Sequence, residues 1–130
     1  MKHNALFEVF LTLIQDLFDA ENQITQKLPH LIQAVSNDDL KETLNHHLND
    51  THFQIDRLKE IFKMIGEDII DSKSACMETL LDQGEKGLRA SWSPAVKDAY
   101  IIIACQKVGH YEIASYGSAS ALARHLNEIT

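Results

Sequence analysis

Acid, amide and imidazole side chains recur in this sequence in phase with apolar helical stripes, and a stripe that packs into a helical core is apolar by default. Glu21 stands in line with Leu17, Ile24 and Leu28. Further along, His47, Thr51 and Gln54 share the face of Leu44, Leu48 and Leu58, with Asp50 at its edge. In the last third, helical phase carries Gln106 and His110 inward after Ile103, while Glu112 and Tyr116 lie on an adjacent stripe. Carboxylates and imidazoles converging from separate helices are the donors of a di-iron or di-manganese bundle site, because these ions need anionic oxygen and nitrogen held rigidly. The usual form takes a Glu-x-x-His pair from each of two helices. Neither pair is present; the nearest spacing is the reversed His47-x-x-Asp50. The competing reading pairs a half-exposed Glu21 with Lys or Arg and satisfies His47 and His110 by hydrogen bonds to Gln54, Gln106 or Thr51. His3, His30, His46, His52 and His125 read as solvent-facing.

The elements that must position these groups are helices. Leu6, Phe10, Leu13, Leu17, Ile24 and Leu28 recur at helical steps, which predicts a first helix from about Asn4 to about Val35, kinked near Gln26 by the donor missing at Pro29. Ser36-Asn37-Asp38-Asp39 supplies turn and cap chemistry. A second helix through Leu40, Leu44, Leu48, Ile55, Leu58, Phe62 and Ile65 stops at Gly66. The short turn between two long amphipathic helices makes them antiparallel neighbours. Glu67 to Ser74 is polar without a period; a shorter helix follows from about Ala75 to Ala90, weakened by Gly84 and Gly87. Ser93 caps and Pro94 opens the last helix, which runs to about Asn127 with Val96, Tyr100, Ile103, Ile113, Gly117 and Leu122 inward. Gly117 beside Ala114 and Ala121 reads as a place of close helix approach. The expectation is an all-α antiparallel bundle occupying residues 1–130 as one domain.

Composition narrows the function classes. A net charge of -7 argues against a nucleic-acid binder, which needs clustered Lys and Arg. No apolar run approaches the roughly 20 residues that span a bilayer, and the N-terminus has no leader pattern, so no membrane role and a cytoplasmic location are expected. Cys76 and Cys105 lack metal or redox spacing and read as reduced, buried thiols. There is no GxSxG and no Gly-rich phosphate loop.

The strings Asp19-Ala20-Glu21-Asn22-Gln23, His47-Leu48-Asn49-Asp50-Thr51-His52-Phe53-Gln54, Pro94-Ala95-Val96-Lys97-Asp98-Ala99 and His110-Tyr111-Glu112-Ile113-Ala114-Ser115-Tyr116-Gly117 resemble the bacterial YciE/YciF-like ferritin-like family, in order and spacing, over about residues 6 to 126. The resemblance implies a ferritin-like bundle of a cytoplasmic, stress-associated, often dimeric kind, with a suspected di-metal centre. Carried over, the family pattern puts acidic or amide ligands at Glu21, Asp50, Gln54 and Glu112, with His47 and His110 at or beside them. The family usually has Glu where this chain has Asn49, Asp50 and Gly109, and it continues into one more acidic helix where this chain stops at Thr130.

Two functional expectations follow. In the first, the chain holds iron or manganese and stores metal or performs peroxide or oxygen chemistry. In the second, favoured by Gly109 and the shorter C-terminus, the metal site is degenerate or absent. The chain then works as a homo-oligomer, a dimer foremost, or with another protein, whose surface covers the stripes a further helix would otherwise bury.

Overall fold

The computed structural model describes residues 4–128, which form four helices and no strand. These are α1 (Ala5–Gln33), α2 (Asp38–Ile65), α3 (Ala75–Leu88) and α4 (Pro94–Glu128). The helices start where short polar side chains can take up free amides. Asn4 accepts from the Phe7 amide at 2.8 Å, and Asn37 accepts from that of Leu40 at 2.9 Å. Ser74 and Ser93 do the same for α3 and α4. At the end of α2, Gly66 turns to φ 68°, a left-handed cap that glycine adopts without cost to a side chain. Helical structure in α1 continues through Pro29.

Each helix runs antiparallel to the one before it, and α1 is the helix against which the other three pack. One core cluster joins Ile24, Leu28 and Leu31 of α1 to Leu44, Met77, Leu81, Ile101 and Val108. The second joins Phe7, Phe10, Ile14 and Leu17 to Leu58, Phe62, Ala119 and Leu126. Because α3 has only 14 residues, it covers the C-terminal half of α1 and leaves the other half to α2, α4 and the 67–74 segment. That segment is tied down by polar bonds: the Gln15 side chain donates to the Asp68 carbonyl at 2.8 Å and accepts from the Ile70 amide at 3.1 Å. Among the described residues no helix is long and apolar enough to cross a membrane.

The face of α4 differs from the expected one. Ile101, Ala104, Val108, Glu112, Ser115, Ala119 and Leu126 are buried, whereas Val96, Ile103, Ile113 and Gly117 face outward. The reason is that α4 is apolar nearly all round, so two stripes compete for the core and periodicity does not choose between them. A side chain at Gly117 would meet nothing. Close approach occurs instead at α3, where a Cβ on Gly87 would overlap the Tyr100 ring and one on Gly84 would come within 3.3 Å of Ala104. The two glycines of α3 thus let α4 pack tightly on it. Cys76 is exposed rather than buried, being near the start of a short helix with its outer face in solvent, while Cys105 is half-buried. His30, His46, His52 and His125 are exposed as expected; the reading of His3 lies outside the described residues.

Candidate functional site

A polar centre sits between the two apolar clusters, where α1, α2 and α4 bring Glu21, His47, Gln54, Glu112 and Tyr116 together. Glu21 is fully buried and Glu112 is 7% exposed. Helical spacing explains the grouping. His47, Thr51 and Gln54 sit on successive turns of one face of α2, and Glu112 and Tyr116 stand one turn apart on α4. Tyr116 donates its hydroxyl to Glu21 Oε2 at 3.1 Å. The Gln54 amide nitrogen, turned toward the two acids, donates to Glu21 Oε2 and to Glu112 Oε2, the latter at 3.2 Å. His47 Nε2 meets Glu112 Oε1 at 2.8 Å. Thr51, also fully buried, spends its hydroxyl on the His47 carbonyl at 2.9 Å. No donor reaches Glu21 Oε1.

These contacts set the protonation states. Burial, followed by the hydrogen bond and charge of Glu112, pushes the Glu21 carboxyl up to about 9. Burial acts on Glu112 in the same direction, but its bonds to His47 and Glu21 outweigh this and hold it below the usual range. The bond to Glu112 raises His47 against the opposing effect of burial, with the Asp50 charge adding to it. Tyr116 is raised by burial and by the Glu21 charge. At neutral pH the centre therefore holds a protonated Glu21 and an anionic Glu112, whose bond to His47 favours the charged imidazole.

Of the six sequence-derived site residues, the structure brings four together: Glu21, His47, Gln54 and Glu112. Asp50 is exposed and acts on the centre only through its charge on His47. His110 and Gln106 are exposed, and His110 Nδ1 bonds the Gln106 carbonyl at 2.8 Å, because the outward turn of Ile103 takes them with it. Among the described residues no group of three or more His, Cys, Asp and Glu side chains stands in an arrangement that could hold a metal ion. Sequence reasoning placed Tyr116 on the stripe of Glu112 without giving it a role; its spacing of four from Glu112 was the available signal.

Polar contacts of Asp98, Asp19 and Asp16 outside the centre also tie elements together. Asp98 of α4 accepts from the Ser36 amide and hydroxyl at 2.9 and 2.7 Å and from the Asn37 amide at 3.0 Å, clamping the α1–α2 turn. Asp19 accepts from the Ser74 amide and from Gln23, both at 2.6 Å, and Tyr111 donates to Asp16.

Comparison with known proteins agrees with this architecture. Residues 5–129 match the family model described as a domain of unknown function, DUF892. Protein YciF of Escherichia coli strain K12 is 36% identical over 127 residues, covering 97% of this chain and 76% of that protein. The crystal structure of the E. coli stress protein YciF superposes with a TM-score of 0.91, covering 96% of this chain and 79% of that one. YcfI of Rhodopseudomonas palustris, at 34% identity, superposes with a TM-score of 0.90 over 95% of this chain and 79% of its own. With a family model matched over nearly the whole chain and a similar relative of the same fold, this four-helix protein belongs to the DUF892 family of YciF-like helical bundles.

Proposed function

We propose that this chain is a stress-associated bundle that acts by assembly, with a second copy of itself as partner, through the outer face of α4. The observation that carries this reading is the composition of that face. Ile102, Ile103 and Ile113 are 43%, 54% and 69% exposed. Both carboxylates between Val96 and Asn127, Asp98 and Glu112, are buried, so in a chain with 19 acidic residues this face presents none. A two-fold interface places one patch against its own copy, and this patch, with Gln106 and His110 among the isoleucines and Lys107 at its edge, has no carboxylate to oppose itself. Gly109 and Gly117 flank Ile113 one turn away on either side, with open space above both. Light scattering on Ile103→Lys and Ile113→Lys tests the reading: an assembled wild type and monomeric, still helical variants are expected. Equal masses for wild type and variants would refute it.

One observation favours metal binding as a second reading: no donor reaches Oε1 of the fully buried Glu21. The donor set does not suit a two-metal centre, which uses about four carboxylates and two imidazoles; here two carboxylates and one imidazole converge. A single divalent cation would have to draw Glu21, Glu112 and His47 together from their present hydrogen bonds. Metal analysis of untagged protein after exposure to Fe(II), Mn(II) and Zn(II) decides this reading, with a stoichiometric ion that Glu21→Gln abolishes supporting it and no retained ion ending it.

A further inference from the structure

α2 and α4 both pack on α1 but barely meet each other, so a groove follows the two of them along one side of α1. The polar centre divides this groove, where His47 and Gln54 of α2 reach Glu112 of α4. Toward the starts of the two helices it widens into a cavity of about 310 Å³. Leu40, Thr43 and Leu44 form one wall, and Ile102, Gly109 and Ile113 form the other. A dry space of about 150 Å³ holds a benzene ring, so this one has room for more than one aliphatic side chain.

The walls and the neighbouring surface of α4 indicate what enters. No carboxylate, Lys or Arg lines the cavity, in a chain with 19 acidic and 12 basic residues. An occupant must then bring an apolar stretch free of charge, since a buried charge without a partner is costly. The chain presents such a stretch on the outer side of α4, at Ile102, Ile103 and Ile113. The exposed ring of Phe53, by contrast, stands among Asp56, Arg57, Lys59 and Glu60. Ile102 and Ile113 belong both to the cavity wall and to the exposed face, whereas Ile103 lies on that face outside the cavity. A copy that meets this face therefore overhangs the opening. A Cβ at Gly109 would meet nothing, which leaves that wall open to the approach of a helix.

We propose that a second copy is seated with its α4 in this groove, an isoleucine of that helix lying over Gly109 between α2 and α4, and that a two-fold axis makes the exchange reciprocal. The inference rests on the self-assembly proposed above and adds α2 as the second wall of the interface. Docking there covers Cys105 and the half-exposed His47, which both line the cavity.

Thr43 separates this arrangement from contact through the outer face of α4 alone. It is exposed on the α2 wall four residues after Asp39, so a lysine there is compatible with the helix. By sedimentation equilibrium, Thr43→Lys should weaken assembly at least about tenfold, while Asn45→Lys, exposed on α2 away from the cavity, should leave it unchanged. Circular dichroism checks that both variants are helical. In a Cys76→Ser background, N-ethylmaleimide should modify Cys105 at least about tenfold more slowly in the assembled chain than in its Ile103→Lys variant. An assembled wild type with Thr43→Lys equally assembled, or with Cys105 modified at equal rates, would overturn the groove and leave the α4 face as the interface, with the cavity open to another occupant. A monomeric wild type would overturn the assembly reading and this inference with it.

Discussion

Glu21 shows how one residue's surroundings decide its chemistry. Folding takes it out of water beside a second acid, and the less costly arrangement leaves a proton on Glu21 and the charge on Glu112, next to His47. Its raised value means that the folded state keeps a proton that the unfolded chain releases above about 4.5. This contribution is fully present below 4.5 and is lost as pH climbs toward about 9. His47, raised from 6.5, loses its contribution in the same direction as pH passes through its folded value, and Glu112, lowered from 4.5, loses its own as pH falls through its folded value. Stability from the centre should therefore peak near about 4.5 and decline as pH rises, more steeply above about 6.5 where His47 joins Glu21. Glu21→Gln imitates the protonated acid, and its melting temperature should fall less than that of wild type between about pH 6 and about pH 9; parallel profiles would show that Glu21 is ionised in the fold. Glu21, His47, Gln54 and Glu112 were legible in the sequence because a polar residue in phase with Leu17 and Ile24, or with Leu44 and Leu58, has few places to go but inward. Asp50 and His110 were not, because a reading of phase cannot resolve the edge of a stripe.

At the level of elements, the caps at Asn37, Gly66 and Ser93 were plain in the sequence for reasons of local chemistry that tertiary packing does not override, whereas the cap at Ser74 was not, because it ends a polar segment without a period. The rotation of α4 was hidden because Ile101 and Val108 compete with Ile103 and Ile113 for one core, and only packing on α1 and α3 decides between them. The glycines of α3 and α4 look alike in sequence and differ in contact. Gly87→Ala pushes a methyl into the Tyr100 ring and should destabilise by about 1–3 kcal/mol. Gly117→Ala meets nothing within the chain and should stabilise the monomer by about 0.5–1 kcal/mol through helix propensity. Thermal melts of the two variants should move in opposite directions. Asp98→Ala removes the acceptor of three bonds at the α1–α2 turn and should cost about 1–3 kcal/mol at neutral pH. The amides of Ser36 and Asn37 hold Asp98 below its usual 3.8, so its contribution is present above that value and is lost as pH falls through the folded one. The deficit of Asp98→Ala, measured by denaturant titration, should therefore shrink on acidification.

Taken whole, the molecule joins its helices through two apolar clusters and carries exposed isoleucines on the outer side of α4. The two features arise from the same sequence choice: a helix apolar on two sides uses one against α1 and α3 and leaves Ile102, Ile103 and Ile113 in water. Isolated exposed hydrophobics are ordinary, and it is the grouping of three on a face without a carboxylate that supports the proposed assembly. The polar centre, short of the donors a metal pair requires, fits a role in fixing how α1, α2 and α4 pack together. Sedimentation equilibrium of the unmodified protein over about 1–50 μM, near the affinity range of stable self-association, tests the central claim most directly. A mass above that of one chain throughout, reduced to one chain by Ile113→Lys, is the predicted result. A wild-type protein that stays monomeric to the top of that range would contradict it.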